Sequence, residues 1–391
     1  MRQVVITGAC RTPIGSFQGA LSTLSAPKLG SLAIREAIKR SGLNPDQVEE
    51  VFMGCVLTAG VGQAPARQAA IFAGLPNTVP CTTINKVCGS GLKSVMLGAL
   101  TILGGEADVV VAGGMESMSN APYLLEKART GYRMGDGKIV DSMVKDGLWD
   151  VYNDYHMGSA AELCSRECHI PRDAQDEFAA KSYRRAIEAM DKGYFKDEIV
   201  PVEIPAKGGT STIVLEDEEP RKVKFDKMPQ LRPAFEKDGT ITAANASKLN
   251  DGASALVLMS EEKATELGVI PLARLVAQAS TAQAPEWFTT APASVIRRLF
   301  EKMNLKKEDI DLYEINEAFS VVSLAVTEML GLDMERVDVH GGAVALGHPI
   351  GASGARILTT LIYAMQRREV HRGLAAICIG GGEAAGVIIE R

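Results

Sequence analysis

Two stretches far apart in the chain carry one pattern, and that pattern limits what the chain can fold into. CGSGLKSV, from Cys88, is a small-residue turn that opens a helix and is followed by the apolar strand ADVVVAGGMES. IGASGARI, from Ile350, opens a second helix and is followed by AAICIGGGEAA. Each unit is a turn, a helix and an apolar strand ending in glycines, with serine-glycine pairs at Ser90-Gly91 and Ser353-Gly354. Matched copies around a dissimilar middle predict duplicated halves meeting face to face. A site then belongs where strand ends and helix N-termini of the two halves converge.

The remaining periodicity fits an α/β protein. Strands are predicted at RQVVITGA, EEVFMGCVL, ASALVLMS, LARLVAQAS, IDLYEINEA and AAICIGGGEAAGVIIE, and helices at 28–41, 66–75, 292–303 and 318–330. The near-continuous apolarity of ADVVVAGGMES is that of a strand covered on both faces. Residues 119–248 change character, with turn clusters such as TGYRMGDGK, charged runs and helices predicted at 157–168 and 173–192. The chain divides accordingly. An N-terminal α/β half spans 1–118 and is completed by about 249–268, a loop domain spans 119–248, and a C-terminal half spans 269–391.

Composition excludes several function classes. With 42 Lys+Arg against 48 Asp+Glu, the formal net charge of -6 argues against nucleic acid as a main partner. No stretch approaches 18 uninterrupted apolar residues, so no membrane association is expected. The N-terminus MRQVVITGACRTPIG reads as strand and turn rather than a signal or transit peptide. The seven cysteines are odd in number and irregularly spaced, as reduced thiols are. The expected location is cytoplasmic.

Four residues stand where acyl chemistry needs them. Cys88 lies just before a helix among Gly and Ser, where backbone N–H groups and the positive helix end favour a thiolate. Small neighbours leave room for a thioester, although most cysteines are simply small buried hydrophobes. His348, in GGAVALGHPIGASGAR, sits in a tight loop where it would serve as base to that thiol. Cys378 closes a buried strand and precedes three glycines; a second thiol there could carry a proton. The bare backbone of the glycines could hold an oxyanion. That run is no dinucleotide turn, since GVIIE after it reads as strand. Asn316, at a strand end before a helix, suits either the site or an N-cap. Cys164, Cys168 and His169 share helical spacing without a second ligand pair, which argues against a metal.

Together these segments resemble the thiolase family. NKVCGSGLKS, GGMESMSNAPY, NEAFSVVSLA, GGAVALGHPIGASGARI and CIGGGEAAGV occur in the family's order and cover essentially the whole chain. The resemblance implies a five-layered α-β-α-β-α fold of two duplicated halves with an inserted loop domain. It implies an acyltransferase that joins two acetyl-CoA into acetoacetyl-CoA and free CoA, and runs the reverse thiolysis. Cys88 would hold the acyl group, His348 would take its proton, and Cys378 would move the proton α to the carbonyl. One oxyanion site would be His348 with a water fixed by Asn316, the other the N–H groups of Cys88 and Gly380.

Coenzyme A is then a substrate, and no redox cofactor is implied. Lys222, Lys224 and Lys227 align with the family's nucleotide-binding stretch, Ser247 with its pantetheine contact, and His156 and Met157 with residues near the acyl pocket. Phe288, with Tyr183, Ala243, Ala244, Ala246 and Val344, resembles the animal mitochondrial form, whose members bind potassium beside the CoA site. A potassium site is therefore expected at those five residues, with Tyr183 beside the cofactor. Glu383-Ala384 departs from the family's apolar residues at the acyl-pocket floor. The family's loop at TGYRMGDGK implies a homotetramer. A ketoacyl synthase shares the fold but pairs its cysteine with two histidines or a histidine and asparagine; the CIGGG cysteine favours thiolase. A non-catalytic lipid carrier would not need all four reactive residues, and a papain-like hydrolase would not need two glycine-rich halves.

Overall fold

The computed structural model describes residues 2–205 and 209–391. Its centre is one mixed sheet, built from β1 (Val4–Arg11), β2 (Glu50–Gly54), β3 (Cys81–Ile84), β4 (Val109–Ser117), β5 (Asn250–Ser260), β6 (Ala273–Ala282), β7 (Leu312–Ile315), β8 (Arg372–Ile379) and β9 (Glu383–Glu390). The strand order is β7-β8-β9-β6-β1-β5-β4-β2-β3. From β1 outward, β1-β5-β4-β2 pair antiparallel, antiparallel, then parallel. From β6 outward, β6-β9-β8-β7 repeat that order and those senses. The halves join where β1 meets β6 antiparallel, Val5 opposite Arg274. The repeat seen in the sequence is thus a pseudo-twofold repeat of topology.

The helices divide into three layers. The first is α1 (Ala26–Arg40) with α2 (Pro65–Ala73), and the middle one is α3 (Ser90–Gly104) with α8 (Ser353–Arg368). The last is α6 (Ala291–Met303) with α7 (Ser320–Leu330). Each layer has its own apolar cluster. Leu29, Ala33 and Ile34 meet Val51, Val111 and Val257 on one outer face, and Val295, Leu299 and Val322 meet Ala376 and Ile388 on the other. Leu92, Val95 and Ile102 of α3 meet Leu358, Leu361 and Ile377 in the middle. The result is the expected five-layered α-β-α-β-α arrangement. Fully burying one such side chain stabilises by roughly 1.5–3 kcal/mol, and the middle layer adds this across the join of the halves to the β1–β6 pairing.

Local sequence explains the elements. Helix α1 carries Pro27 in its first turn, where the missing N–H falls among unpaired donors, and ends with Lys39 and Arg40 against the negative end. Its apolar residues recur as Leu29, Ala33, Ile34, Ala37 and Ile38 on the buried face. The apolar run Val87–Gly104 is long enough to cross a membrane, yet 56% of it is buried, as befits a helix between the two halves of the sheet.

Three sequence readings shift. Strand β3 was not legible, because its Cys-Thr-Thr-Ile is short and only half-buried at the sheet edge. The strand at IDLYEINEA shrinks to Leu312–Ile315, and the following helix starts at Ser320 rather than 318. Residues 119–248 lie outside the main sheet and carry two-stranded pairs with α4 (Met157–Glu167) and α5 (Arg172–Asp191). A buried ion cluster fastens this segment to β1. The Arg11 guanidinium reaches Asp217 at 2.7 and 2.9 Å and Glu198 at 2.5 Å. Removing Arg11 would strand two buried carboxylates, at a cost of about 3–5 kcal/mol.

Candidate active site

The nucleophile turn is strained and braced by serine. Between β3 and α3 the chain turns on Val87, whose φ of 47° is left-handed, a rare state for a β-branched residue. Ser90 Oγ holds the turn, accepting from the Lys86 N–H at 2.8 Å and donating to the Val87 carbonyl at 2.6 Å. Cys88 is thereby presented at the start of α3. Burial pushes its thiol up to about 11, opposed by the backbone N–H groups of Gly380 and of Cys88 itself, which point at the sulfur. Those are the two donors expected for an oxyanion.

The histidine comes from the other half. Gly347, at φ 111°, brings the chain so close to Asn250 that a Cβ would lie 2.4 Å from its Oδ1. That Oδ1 accepts the His348 N–H at 2.9 Å. Ser353 Oγ donates to the Pro349 carbonyl at 2.9 Å, so it accepts from His348 Nδ1 at 2.6 Å. The proton is assigned to Nδ1 by this network, and Nε2 keeps a lone pair, buried and without a partner among the described residues. Burial, with the Arg356 charge behind it, lowers the imidazole to about 3. Both shifts favour a neutral thiol beside a neutral imidazole, so the proton moves only as the sulfur attacks.

A cavity of about 640 Å³ joins these groups. Cys88, His348 and Gly380 share it with His156, Met157, Ser247, Phe288, Ala243, Ala246 and Lys222. Phe288 and Phe235 pack edge-on against Phe319, with ring centroids 6.3 and 6.2 Å away, and His156 stacks on Phe235 at 4.8 Å. Cys378 is buried at the end of β8, and its thiol is raised first by burial and then by the Cys88 charge. Asn316 is buried too, its Oδ1 3.5 Å from Arg356 and its Nδ2 without a partner among the described residues. It is not an N-cap, since Phe319 takes that position before α7.

Other expected positions fall elsewhere. Lys224 and Lys227 are exposed and stand outside the cavity lining, whereas Lys222 reaches it beside Ser16 and Glu219. Tyr183, Ala244 and Val344 are buried behind the wall. Two of the carbonyls expected for potassium, those of Ala246 and Val344, accept from the Lys248 ammonium at 2.8 and 3.2 Å. Burial lowers that ammonium to about 8, with the Glu219 and Glu317 charges opposing. Glu383 does not floor the acyl pocket; it pairs with Lys86 across the halves. Cys164 and Cys168 are 3.9 Å apart as free thiols, and no metal-holding cluster of His, Cys, Asp or Glu occurs among the described residues.

Sequence reasoning missed the residues that brace the site. Glu116 is buried and accepts from the N–H groups of Val56 (3.0 Å), Leu57 (3.2 Å) and Gly351 (2.9 Å). Burial raises its carboxyl to about 7 against those donors. It fixes the loop after His348, and a lone acid in an apolar buried strand was the available signal. Asn250 and Ser353 gave no signal until His348 was placed.

A cysteine on a strained turn, a base from the opposite half and paired backbone donors define an acyl-transferring enzyme of duplicated α/β architecture. The chain belongs to the thiolase family: residues 4–262 match the thiolase N-terminal domain and 269–391 the thiolase C-terminal domain. The chain is 52% identical over 390 residues to an acetyl-CoA acetyltransferase of Schizosaccharomyces pombe, covering 100% of this chain and 99% of that one. It is 55% identical over 392 residues to acetyl-CoA acetyltransferase B, mitochondrial, of Xenopus laevis, covering 100% and 92%. The crystal structure of Acat5 thiolase from Ascaris suum in complex with coenzyme A superposes with a TM-score of 0.95 at 45% identity, covering 100% of each chain.

Proposed function

We propose that this chain is an acetyl-CoA C-acetyltransferase, forming acetoacetyl-CoA and CoA from two acetyl-CoA and catalysing the reverse thiolysis. The observation that carries the reading is the free Nε2 lone pair of His348 in one cavity with Cys88 and its two backbone donors. In the first step Cys88 Sγ attacks the thioester carbonyl while Nε2 takes the thiol proton. The oxyanion accepts from the Cys88 and Gly380 N–H groups, each worth about 3–4 kcal/mol of barrier. The departing CoA thiolate takes its proton from the buried Cys378 thiol, leaving acetyl-Cys88, a Cys378 thiolate and a proton on His348 Nε2.

In the second step Cys378, as thiolate, removes a proton from the methyl of another acetyl-CoA. The enolate oxygen would accept from His348 and from a water to which Asn316 Nδ2, a buried donor with no partner among the described residues, can donate. The carbanion attacks the acetyl carbonyl, a carbon–carbon bond forms, and Cys88 leaves, taking its proton back from His348 Nε2. The aromatic wall of Phe235, Phe288 and Phe319 supports short acyl groups. Lys222 at the cavity rim is the cation offered to the CoA nucleotide, ahead of Lys224 and Lys227.

The exposed apolar side chains Leu125, Met134 and Ile139, in and beside the TGYRMGDGK loop, support a homotetramer assembled through that loop. Seven free cysteines support a reducing, cytoplasmic setting. Light scattering of the purified chain and imaging of a tagged copy test those two assignments. The chemistry is tested by thiolysis of acetoacetyl-CoA beside longer 3-ketoacyl-CoAs, with wild type and Cys88→Ala. Rapid four-carbon cleavage, abolished in the variant, is expected. Preference for long chains overturns the substrate, and activity surviving in the variant overturns the mechanism.

A further inference from the structure

In the pocket wall, Lys248 occupies an unusual position. Its ammonium donates to the carbonyls of Ala246 at 2.8 Å and Val344 at 3.2 Å and lies 5.4 Å from the centre of the Tyr183 ring. Among the described residues it forms no ion pair. A buried cation normally has a carboxylate against it; this half-buried one bonds carbonyl oxygens and faces an aromatic ring, with the Glu219 and Glu317 charges beyond ion-pair distance. Carbonyls around a bare monovalent cation are the environment that replaces a potassium hydration shell.

The segments so joined are functional ones. Ala246 precedes Ser247, whose N–H donates to the Ala318 carbonyl at 3.0 Å in the cavity wall. Val344 belongs to the short helix Ala343–Leu346, which leads directly into Gly347 and His348. Residues of this same group, Tyr183, Ala243, Ala244, Ala246 and Val344, were the expected potassium ligands, and they do not fit a potassium ion. A lysine head already takes two of the carbonyls and faces the tyrosine. We propose that Lys248 is a built-in cation at this position, tying the Ser247 wall to the His348 loop and making the enzyme independent of added monovalent cations.

The lysine has three donors on a tethered stem, so it supplies the charge without diffusing away. Removing the head while leaving space should recreate a site that potassium can enter. Removing it while filling the space should not.

The test compares wild type, Lys248→Ala and Lys248→Met in potassium, sodium and choline chloride at equal ionic strength. Two readouts are taken: KM and kcat for thiolysis, and the melting temperature without substrate. Wild type is expected to keep both within about twofold across the salts. Lys248→Ala should show KM for CoA raised about tenfold in choline, the equivalent of roughly 1.4 kcal/mol, and restored by potassium along with its melting temperature. Lys248→Met should be impaired alike in every salt. A wild type activated severalfold by potassium overturns the proposal, as does a Lys248→Ala enzyme unaffected in choline. If Lys248→Ala does not fold in choline, its folding in potassium alone supports the proposal, and failure in both salts counts against it.

Discussion

Gly91 and Gly354 stand opposite one another across the pseudo-twofold axis. A Cβ on Gly91 would lie 2.8 Å from the Ala355 nitrogen, and one on Gly354 would lie 2.4 Å from the Leu92 nitrogen. Each glycine of the repeated Ser-Gly pair therefore packs on the residue following its own counterpart. Helices α3 and α8 carry Cys88 and His348 just before their first turns, so this contact sets the separation of nucleophile and base.

Gly354→Ala is accordingly expected to push the two helices apart rather than to pack, because the obstructing atom is backbone. Overpacking of this kind costs about 1–3 kcal/mol. Calorimetry should show a lower melting temperature, and kcat should fall by more than KM rises. A variant as stable and as fast as wild type would remove the contact from the account of the site.

This pair also shows how far the sequence could be read. The duplicated turn, helix and strand were legible because glycine and serine leave a pattern that survives without coordinates. Cys88, His348, Cys378 and Asn316 were legible because reactive residues stood beside those turns. The bracing residues were not. Asn250 and Ser353 matter only through one hydrogen bond each to His348, 98 and 5 residues away, and spacing alone does not single them out. The Val87 strain was hidden because the sequence places no glycine there. The potassium expectation followed matching residues and overlooked Lys248, whose head reaches Ala246 two positions back in the chain.

Ser353 Oγ fixes the tautomer that leaves Nε2 basic. His348→Asn should lower kcat by about 10²–10⁴, the usual worth of a positioned base. Ser353→Ala should lose a smaller share, on the order of tenfold, with KM for CoA little changed, because only the ring's orientation and proton are disturbed. Stopped-flow acylation and iodoacetamide alkylation of Cys88 report this directly. If Ser353→Ala acylates as fast as wild type, the tautomer is set by something else.

Stability should depend on pH through His340, which lies away from the catalytic groups. Burial, then the charges of Arg368, Arg367 and Arg185, lowers it from the ordinary 6.5 to about 4. Between those values the unfolded chain binds a proton that the folded chain excludes. Its contribution is present above 6.5 and lost as pH falls towards 4, by up to about 1.4 kcal/mol per unit. Buried Glu116, raised to about 7, and Glu314, raised to about 8, run the other way and weaken the fold as pH rises through those values. The difference between wild type and His340→Gln isolates the histidine. The variant should lose less melting temperature than wild type between pH 7 and pH 5, and parallel curves would contradict the assignment.

The Lys86–Glu383 pair joins the nucleophile turn of one half to the end of the Gly380–Gly382 turn of the other. Each oxyanion donor sits three residues or fewer from one of these side chains, so the pair restrains the distance between the Cys88 and Gly380 N–H groups. The side chains are 23% and 37% exposed, which limits the interaction to about 0.2–1 kcal/mol and makes it sensitive to salt. Lys86→Ala and Glu383→Ala should each reduce kcat by no more than about fivefold, with KM for CoA unchanged and the loss absent at high ionic strength. The exchanged variant carrying both Lys86→Glu and Glu383→Lys should recover most of the rate. Equal rates in the single and exchanged variants would mean that the glycine turn holds its donor without help from the charges.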